Sequence, residues 1–283
     1  SDTSVATVNA NGLVTGQAAG SSVITATVDG ASVECVVSVV KRTTLSNARY
    51  NVLIIDTSGS MEGNKIGAVN DAVANVLPML DEISAENPDA EIRVAALEFS
   101  TGTNWLYSEP KLASDFIWQD VRAEGLTSLG AACVELNTKL SRNGFMQSAS
   151  GSFAPAIILL SDGAPTDDFD KGIEALNNNN WFKAAIKIAI AIGDDADKDV
   201  LKRFTGTPEA VFTVHNIDAL KQIIRVVAVT SSQIGSKSST ASDVTKQEQV
   251  IKEVTEAAEN IDGAQSEAVA KPADTTNNYD DWD

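Results

Sequence analysis

Tyr50-Asn51-Val52-Leu53-Ile54-Ile55-Asp56-Thr57-Ser58-Gly59-Ser60 is an apolar run that ends in a carboxylate followed by hydroxyls at alternate positions. Its Val, Leu and Ile residues have the length and composition of a buried strand, and Thr-Ser-Gly-Ser is turn chemistry. Asp56, Ser58 and Ser60 therefore stand where a strand passes into a loop. A carboxylate and two hydroxyls gathered there make half of a hard-cation site, because Mg²⁺ takes oxygen ligands in near-octahedral geometry and keeps some of its water.

Two further segments offer the other half. Glu124-Gly125-Leu126-Thr127-Ser128-Leu129-Gly130 opens an apolar helical stretch and puts the Thr127 hydroxyl in a glycine-flanked turn at a helix start. Ala156-Ile157-Ile158-Leu159-Leu160 is a second buried-strand run, and it ends in Ser161-Asp162-Gly163, so an acid again follows a strand.

The surrounding pattern sets the fold class. After the first loop, Ile66, Val69, Val73, Val76 and Leu80 recur at helical spacing, with Pro78 expected to kink or interrupt the helix. Residues 91–99 read as a strand and 105–107 as a short edge strand. Helix then alternates with strand: helices over 129–140, 170–177, 196–204 and 217–230, strands over 156–160, 186–192 and 210–213. Strands spaced by helices at this pitch predict right-handed crossovers and a doubly wound, mostly parallel α/β sheet with helices on both faces. Ligands of such sheets bind beyond the carboxyl ends of the strands, where Asp56 and Asp162 are both placed.

Residues 1–41 read differently, as all-β. Runs at 5–8 and 22–28 alternate, Asn11-Gly12 is a turn signal, and Asp29-Gly30 is a strong two-residue hairpin signal before a third run at 31–40. Residues 42–46 form a linker to an α/β domain over 47–232. Residues 233–283 read as a polar linker around 236–242, a short helix within 243–260 and, from Gly263, an acidic disordered tail.

Asp-x-Ser-x-Ser at 56–60, Thr127 in a Gly-Leu-Thr-Ser-Leu-Gly loop, and Ser161-Asp162-Gly163 after a strand resemble the metal-ion-dependent adhesion site of von Willebrand factor A domains. Three short motifs in the right order, each at the right end of its element, are far more specific than any one of them. The stretch 161–168 with Trp181-Phe182-Lys183 is most similar to the bacterial tellurium-resistance, TerY-like branch. The N-terminal segment resembles the latter half of a group 2 bacterial immunoglobulin-like sandwich. The resemblance implies that Ser58, Ser60 and Thr127 hold Mg²⁺ (or Mn²⁺ or Ca²⁺) directly or nearly so, that Asp56 and Asp162 act directly or through water, and that a partner's Asp or Glu completes the shell. Asp167 and Asp168 stay outside this metal set, as the acidic start of a helix or as added charge beside the metal.

Composition narrows the function. A net charge of -18 over 283 residues, with a pI near 4.4, argues against a nucleic-acid surface, which needs clustered Lys and Arg. No run approaches the roughly 18 uninterrupted apolar residues of a transmembrane helix. The chain begins at Ser1 without Met, so nothing about secretion follows. Cys35 and Cys133 read as small buried apolar residues in different domains, with no disulfide framework, which is compatible with a reducing compartment. The single histidine, His215, is placed away from the three loops, and no nucleophile-base constellation assembles with them, so the expectation is no enzyme activity. The expected function is metal-dependent recognition of an acidic residue of a partner protein. The alternative is a structural subunit of a surface or phage particle whose metal only stabilises the fold. The setting expected is a cell surface or virion in preference to cytoplasm.

Overall fold

The computed structural model describes residues 2–9, 12–39, 47–86, 90–147, 153–236 and 245–267. The linker expected over 42–46, the polar stretch at 237–242 and the tail after 267 lie outside them. The chain divides into two units, Ser1–Ser46 and Asn47–Asp283.

The first unit holds two small antiparallel sheets: β1 (Ala6–Val8) with β2 (Val14–Gly16), and β3 (Gly20–Val28) with β4 (Ala31–Val39). The Asp29-Gly30 hairpin forms as expected. Val28 pairs with Ala31, and the two turn residues take φ of 50° and 81°, the positive pair that a two-residue primed turn requires. These strands bury little. Ile24, Ala26 and Val28 share a face with Val33, Cys35 and Val37, yet Val28 and Val33 are each 72% exposed. Cys35 is exposed as well, which corrects the expectation of a buried thiol: it lies on a hairpin face that no described residue covers.

The second unit is built on a sheet of order β12-β11-β10-β9-β5-β6-β7, with β8 (Lys111–Leu112) beside β6. Its centre is β5 (Asn47–Asp56), flanked in parallel by β6 (Ala90–Phe99) and β9 (Ala156–Ser161). Next to β9 come β10 (Ile186–Ile192) and β11 (Val211–Val214), also parallel. Antiparallel strands close both edges, β7 (Thr103–Trp105) on β6 and β12 (Ala264–Ser266) on β11. All six residues of β9 are buried, as befits a parallel strand covered on both faces.

Alternate residues of the central strands feed two cores. Leu53, Ile55, Ile158, Leu160, Ile188 and Ile190 pack under α1 (Asn64–Glu86), α6 (Ile217–Ser236) and α7 (Lys246–Ala258). Val52, Ile54, Leu97, Ile157, Leu159 and Ala189 pack under α2 (Leu129–Lys139), α3 (Phe169–Asn177), α4 (Asn180–Ala184) and α5 (Lys198–Thr205).

Three expectations change. Pro78 lies inside α1 without ending it. Helix α6 runs six residues past 230. Beyond the expected boundary at 232, α7 buries Val250, Val254 and Ala258 in the core and β12 joins the sheet, so residues to 267 belong to the α/β unit and are not an isolated helix and tail. Helix α7 starts with a reciprocal Thr245/Glu248 capping box, a signal readable in Thr-Lys-Gln-Glu.

Candidate metal centre

Strand β5 is the point where the sheet is wound in two directions, because the chain continues to β6 on one side and returns to β9 on the other. The crevice at the carboxyl ends of β5 and β9 is the ligand-binding position of such sheets. Asp56 ends β5, and Asp162 follows directly after β9.

Both acids are buried, Asp56 at 0% and Asp162 at 2% exposure. Asp56 folds its loop around itself: Oδ1 accepts the Ser58 backbone N–H at 2.9 Å, and Oδ2 accepts the Ser161 hydroxyl at 2.6 Å. Burial pushes the Asp56 carboxyl above the ordinary carboxylate range, opposed by those hydrogen bonds, with the nearby Asp162 charge adding to the rise. An uncompensated carboxylate in that position seeks a cation.

Ser58 and Ser60 hydroxyls share a hydrogen bond of 3.1 Å, and Ser60 Oγ donates to Asp162 Oδ1 at 2.7 Å. The Thr127 loop closes on the same spot. Gly59 N–H donates to Gly125 O at 3.1 Å, and Glu124 N–H donates to Thr57 O at 2.8 Å. Gly163 brings the third loop in. A Cβ at 163 would lie 3.6 Å from Ser60 Oγ and 3.8 Å from Thr127 Oγ1, so both hydroxyls border one small hollow above the Asp162 backbone. Gly125, at φ 83°, supplies the left-handed turn that presents Thr127, and a side chain there would collide with Thr101 Oγ1 at 2.4 Å.

Asp56, Ser58, Ser60, Thr127 and Asp162 thus lie on three loops at one edge of the sheet. Their chemistry is two carboxylates and three hydroxyls, the donor set of a hard cation, with the remaining positions left to water or an incoming ligand. Among the described residues no group of three or more His, Cys, Asp or Glu could hold a metal.

Four residues of the site were not singled out as ligands or supports from the sequence. Lys65 Nζ donates to Asp162 Oδ2 at 2.8 Å, a half-buried ion pair at the edge of the hydroxyl cluster. Ser161 orients Asp56. Thr166 Oγ1 accepts the Thr127 N–H at 3.1 Å, and the Thr166 N–H donates back to Thr127 O at 2.9 Å. Asp167 accepts the Gly130 and Ala131 N–H groups at 2.8 and 2.7 Å, so its carboxylate caps the start of α2. Asp167 thus caps a helix other than its own, a role that neither sequence reading of it named. Asp168 caps α3 through Lys171 N–H. His215 sits beyond β11 beside Asp194, at 3.5 Å.

Residues 52–226 match the family model of the von Willebrand factor type A domain. The chain belongs to that family. The open conformation of the pilus adhesin SpaC from Lactobacillus rhamnosus GG shares its fold at a TM-score of 0.53 and 17% identity, over 68% of this chain and 30% of that one. A von Willebrand factor type A protein from Catenulispora acidiphila aligns at 18% identity and a TM-score of 0.49, over 71% of this chain and 45% of its own. A third, proximal thread matrix protein 1 from the mussel byssus with zinc-occupied MIDAS motif, aligns at 15% identity and a TM-score of 0.48, over 66% and 48%. The chain spans less than half the length of each of these structures. No curated protein matches it by sequence.

Proposed function

We propose that this von Willebrand factor A domain is a metal-dependent recognition module that grips an acidic residue of a partner protein. The observation that carries the reading is the convergence of Ser58, Ser60 and Thr127 hydroxyls with the buried Asp56 and Asp162 at the switch point of the sheet. Ser60 and Leu126 at its rim are exposed, which suits a surface site more than an internal stabilising ion. A bound Mg²⁺ would supply a position of high charge density for a carboxylate oxygen to replace water. The chain's own residues do the rest: Ser161 and the Ser58 backbone orient Asp56, Thr166 and Asp167 hold the Thr127 loop, and the hydroxyls stay unprotonatable donors of lone pairs.

A Mg²⁺ titration by calorimetry of the chain beside its Ser58→Ala/Ser60→Ala variant tests this, followed by partner capture with and without chelator. Saturable binding lost in the variant, with chelator-sensitive partners, is the expected result. Absence of metal binding, or partner capture that survives chelation, would sink it.

The proposal extends to setting. The TerY-like assignment and the immunoglobulin-like character of residues 1–41 are part of it, the latter supported by four antiparallel strands with an exposed apolar face. The two pull apart, the first toward an intracellular assembly and the second toward a surface or virion, and the order in which they are joined favours the surface or virion. The structural-subunit reading draws on one observation, the Lys65 ammonium already paired with Asp162, which supplies an internal cation at the edge of the site.

A further inference from the structure

Leu126 directly precedes the proposed ligand Thr127, and it is 56% exposed. A lone exposed leucine is common and means nothing by itself. This one sits on a fastened backbone. Gly125 O accepts the Gly59 N–H at 3.1 Å, and the Leu126 N–H donates to Thr101 Oγ1 at 3.2 Å. Thr127 is tied through its N–H and C=O to Thr166, at 3.1 and 2.9 Å. Three consecutive residues are thus each held by a different loop. An apolar side chain presented on such a backbone costs a binding partner little ordering.

The surroundings of Leu126 are low. Gly59, Ser60, Thr101, Gly102 and Gly125 are exposed, and none carries a side chain larger than threonine, so a bound segment can bring its backbone close. Among the described residues of the α/β unit, the other exposed large apolar side chains are Ile117 and Val134. Val134 lies in the second turn of α2, the helix that the Thr127 loop opens. Glu62 and Glu124 are exposed too, and their backbones join the same loops: Glu62 N–H donates to Gly59 O at 3.2 Å, and Glu124 N–H to Thr57 O at 2.8 Å. Two carboxylates at the rim favour a cation on whatever binds and disfavour a second acid.

We propose that recognition is bipartite: beside the acid that meets the metal, the partner brings a large aliphatic side chain that packs on Leu126, two positions from the acid along an extended segment. The inference rests on the metal-dependent reading above. Its spacing follows from geometry, because alternate side chains of an extended chain share a face about 7 Å apart, while immediate neighbours point away. Leu126 is exposed and Thr127 is buried, so the apolar contact stands beside the metal hollow and not inside it. The segment that fits therefore reads acid, any residue, large aliphatic, or the reverse order, with basic flanks.

The test is an NMR titration of the isotope-labelled full chain in Mg²⁺ with four end-blocked peptides: Gly-Gly-Asp-Gly-Leu-Gly, Gly-Leu-Gly-Asp-Gly-Gly, Gly-Gly-Asp-Gly-Gly-Gly, and the first with Asn for Asp. The tighter leucine peptide should bind about fivefold to tenfold more strongly than the leucine-free one, the worth of covering much of a leucine side chain. Chelation, or Asn for Asp, should abolish binding. Leu126→Ser should keep the Mg²⁺ affinity and the leucine-free peptide's affinity but lose the preference, and Leu126→Met should retain it. Methyl contacts between the peptide and Leu126 in the wild-type chain give the same reading without a variant. Lys at the peptide ends should tighten binding at low salt and Glu weaken it; equal affinities would remove Glu62 and Glu124 from recognition. Metal-dependent binding with no leucine preference, or a preference that survives Leu126→Ser, would overturn the second contact and leave the acid-gripping reading intact. Leucine-peptide binding that survives chelation would detach Leu126 from the metal site and overturn the bipartite arrangement. No shift with any peptide while Mg²⁺ binds would bring down the acid-gripping reading and this inference with it.

Discussion

Lys65 Nζ lies 2.8 Å from Oδ2 of Asp162, the lysine side chain 18% exposed and the aspartate side chain 0%. An ammonium there provides part of the countercharge that the two buried acids require, and it engages an oxygen of one proposed ligand. Lys65→Met, which keeps the aliphatic stem, is expected to tighten Mg²⁺ by about tenfold, the worth of one charge-assisted hydrogen bond. Calorimetry reads this directly. Unchanged or weakened Mg²⁺ affinity would show that the lysine does not compete.

Asp56→Asn separates the metal role from the structural one. The amide keeps the Oδ1 acceptor for Ser58 N–H while removing a charge that burial disfavours. Mg²⁺ binding should be lost, and the metal-free variant should unfold at the same or higher urea concentration than the parent. A lowered midpoint would mean that the carboxylate supports the fold, and retained Mg²⁺ binding that it does not hold the metal.

Asp167 accepts two backbone donors at the start of α2, so Asp167→Ala removes a cap from the helix that follows Thr127. The expected cost is about 1–2 kcal/mol, the upper half of the range for helix caps. Urea unfolding checks the stability, and a parallel Mg²⁺ titration should show weakened binding because the Thr127 loop loosens. Wild-type values for both would remove Asp167 from the site's support.

Gly172 marks where α3 crosses α2. A Cβ there would lie 2.4 Å from Gly130 O and 2.9 Å from Cys133 Cβ, with backbone as the nearer obstacle. Gly172→Ala should destabilise by about 1–3 kcal/mol through overpacking despite alanine's better helix propensity. A stabilised variant would show that the two helices can separate at no cost.

The two thiols should differ in reactivity. Burial pushes the Cys133 thiol far up from its ordinary value, with the Asp167 charge adding to the rise, while Cys35 is exposed. Since the thiolate is the reactive form, a thiol reagent at neutral pH should modify one cysteine per native chain and two in urea. Native modification of Cys133→Ser at the wild-type extent, and none of Cys35→Ser, is the expected control pattern.

The α/β unit was legible because its signals are local. A strand run followed by an acid and hydroxyls, a Gly-flanked Thr and a second strand run followed by Ser-Asp-Gly each name one loop, and the alternation of strand and helix dictates that the loops meet. What stayed hidden depends on side chains reaching across the fold. Lys65 reads as the first turn of an amphipathic helix, and only the fold brings that turn to the loop after β9, where it meets Asp162. Asp167 reads as the start of its own helix because nothing in the spacing shows α2 lying next to it. Cys35 misled because alternation alone cannot say whether a hairpin face is covered. The boundary at 232 misled because α7 and β12 follow a polar stretch that resembles an exit from the domain.

Strand β12 has a consequence for where this molecule can be cut. Its three residues pair with β11, whose four residues are all buried, and Glu267 fastens the end by accepting the Thr213 hydroxyl at 2.6 Å and pairing with Lys198 at 3.0 Å. A chain trimmed at 232 would leave Phe212-Thr213-Val214 with a naked backbone edge, the template on which foreign strands assemble. In the full chain Ala264–Ser266 occupies that edge, and a strand of three residues offers a newcomer little backbone to pair with.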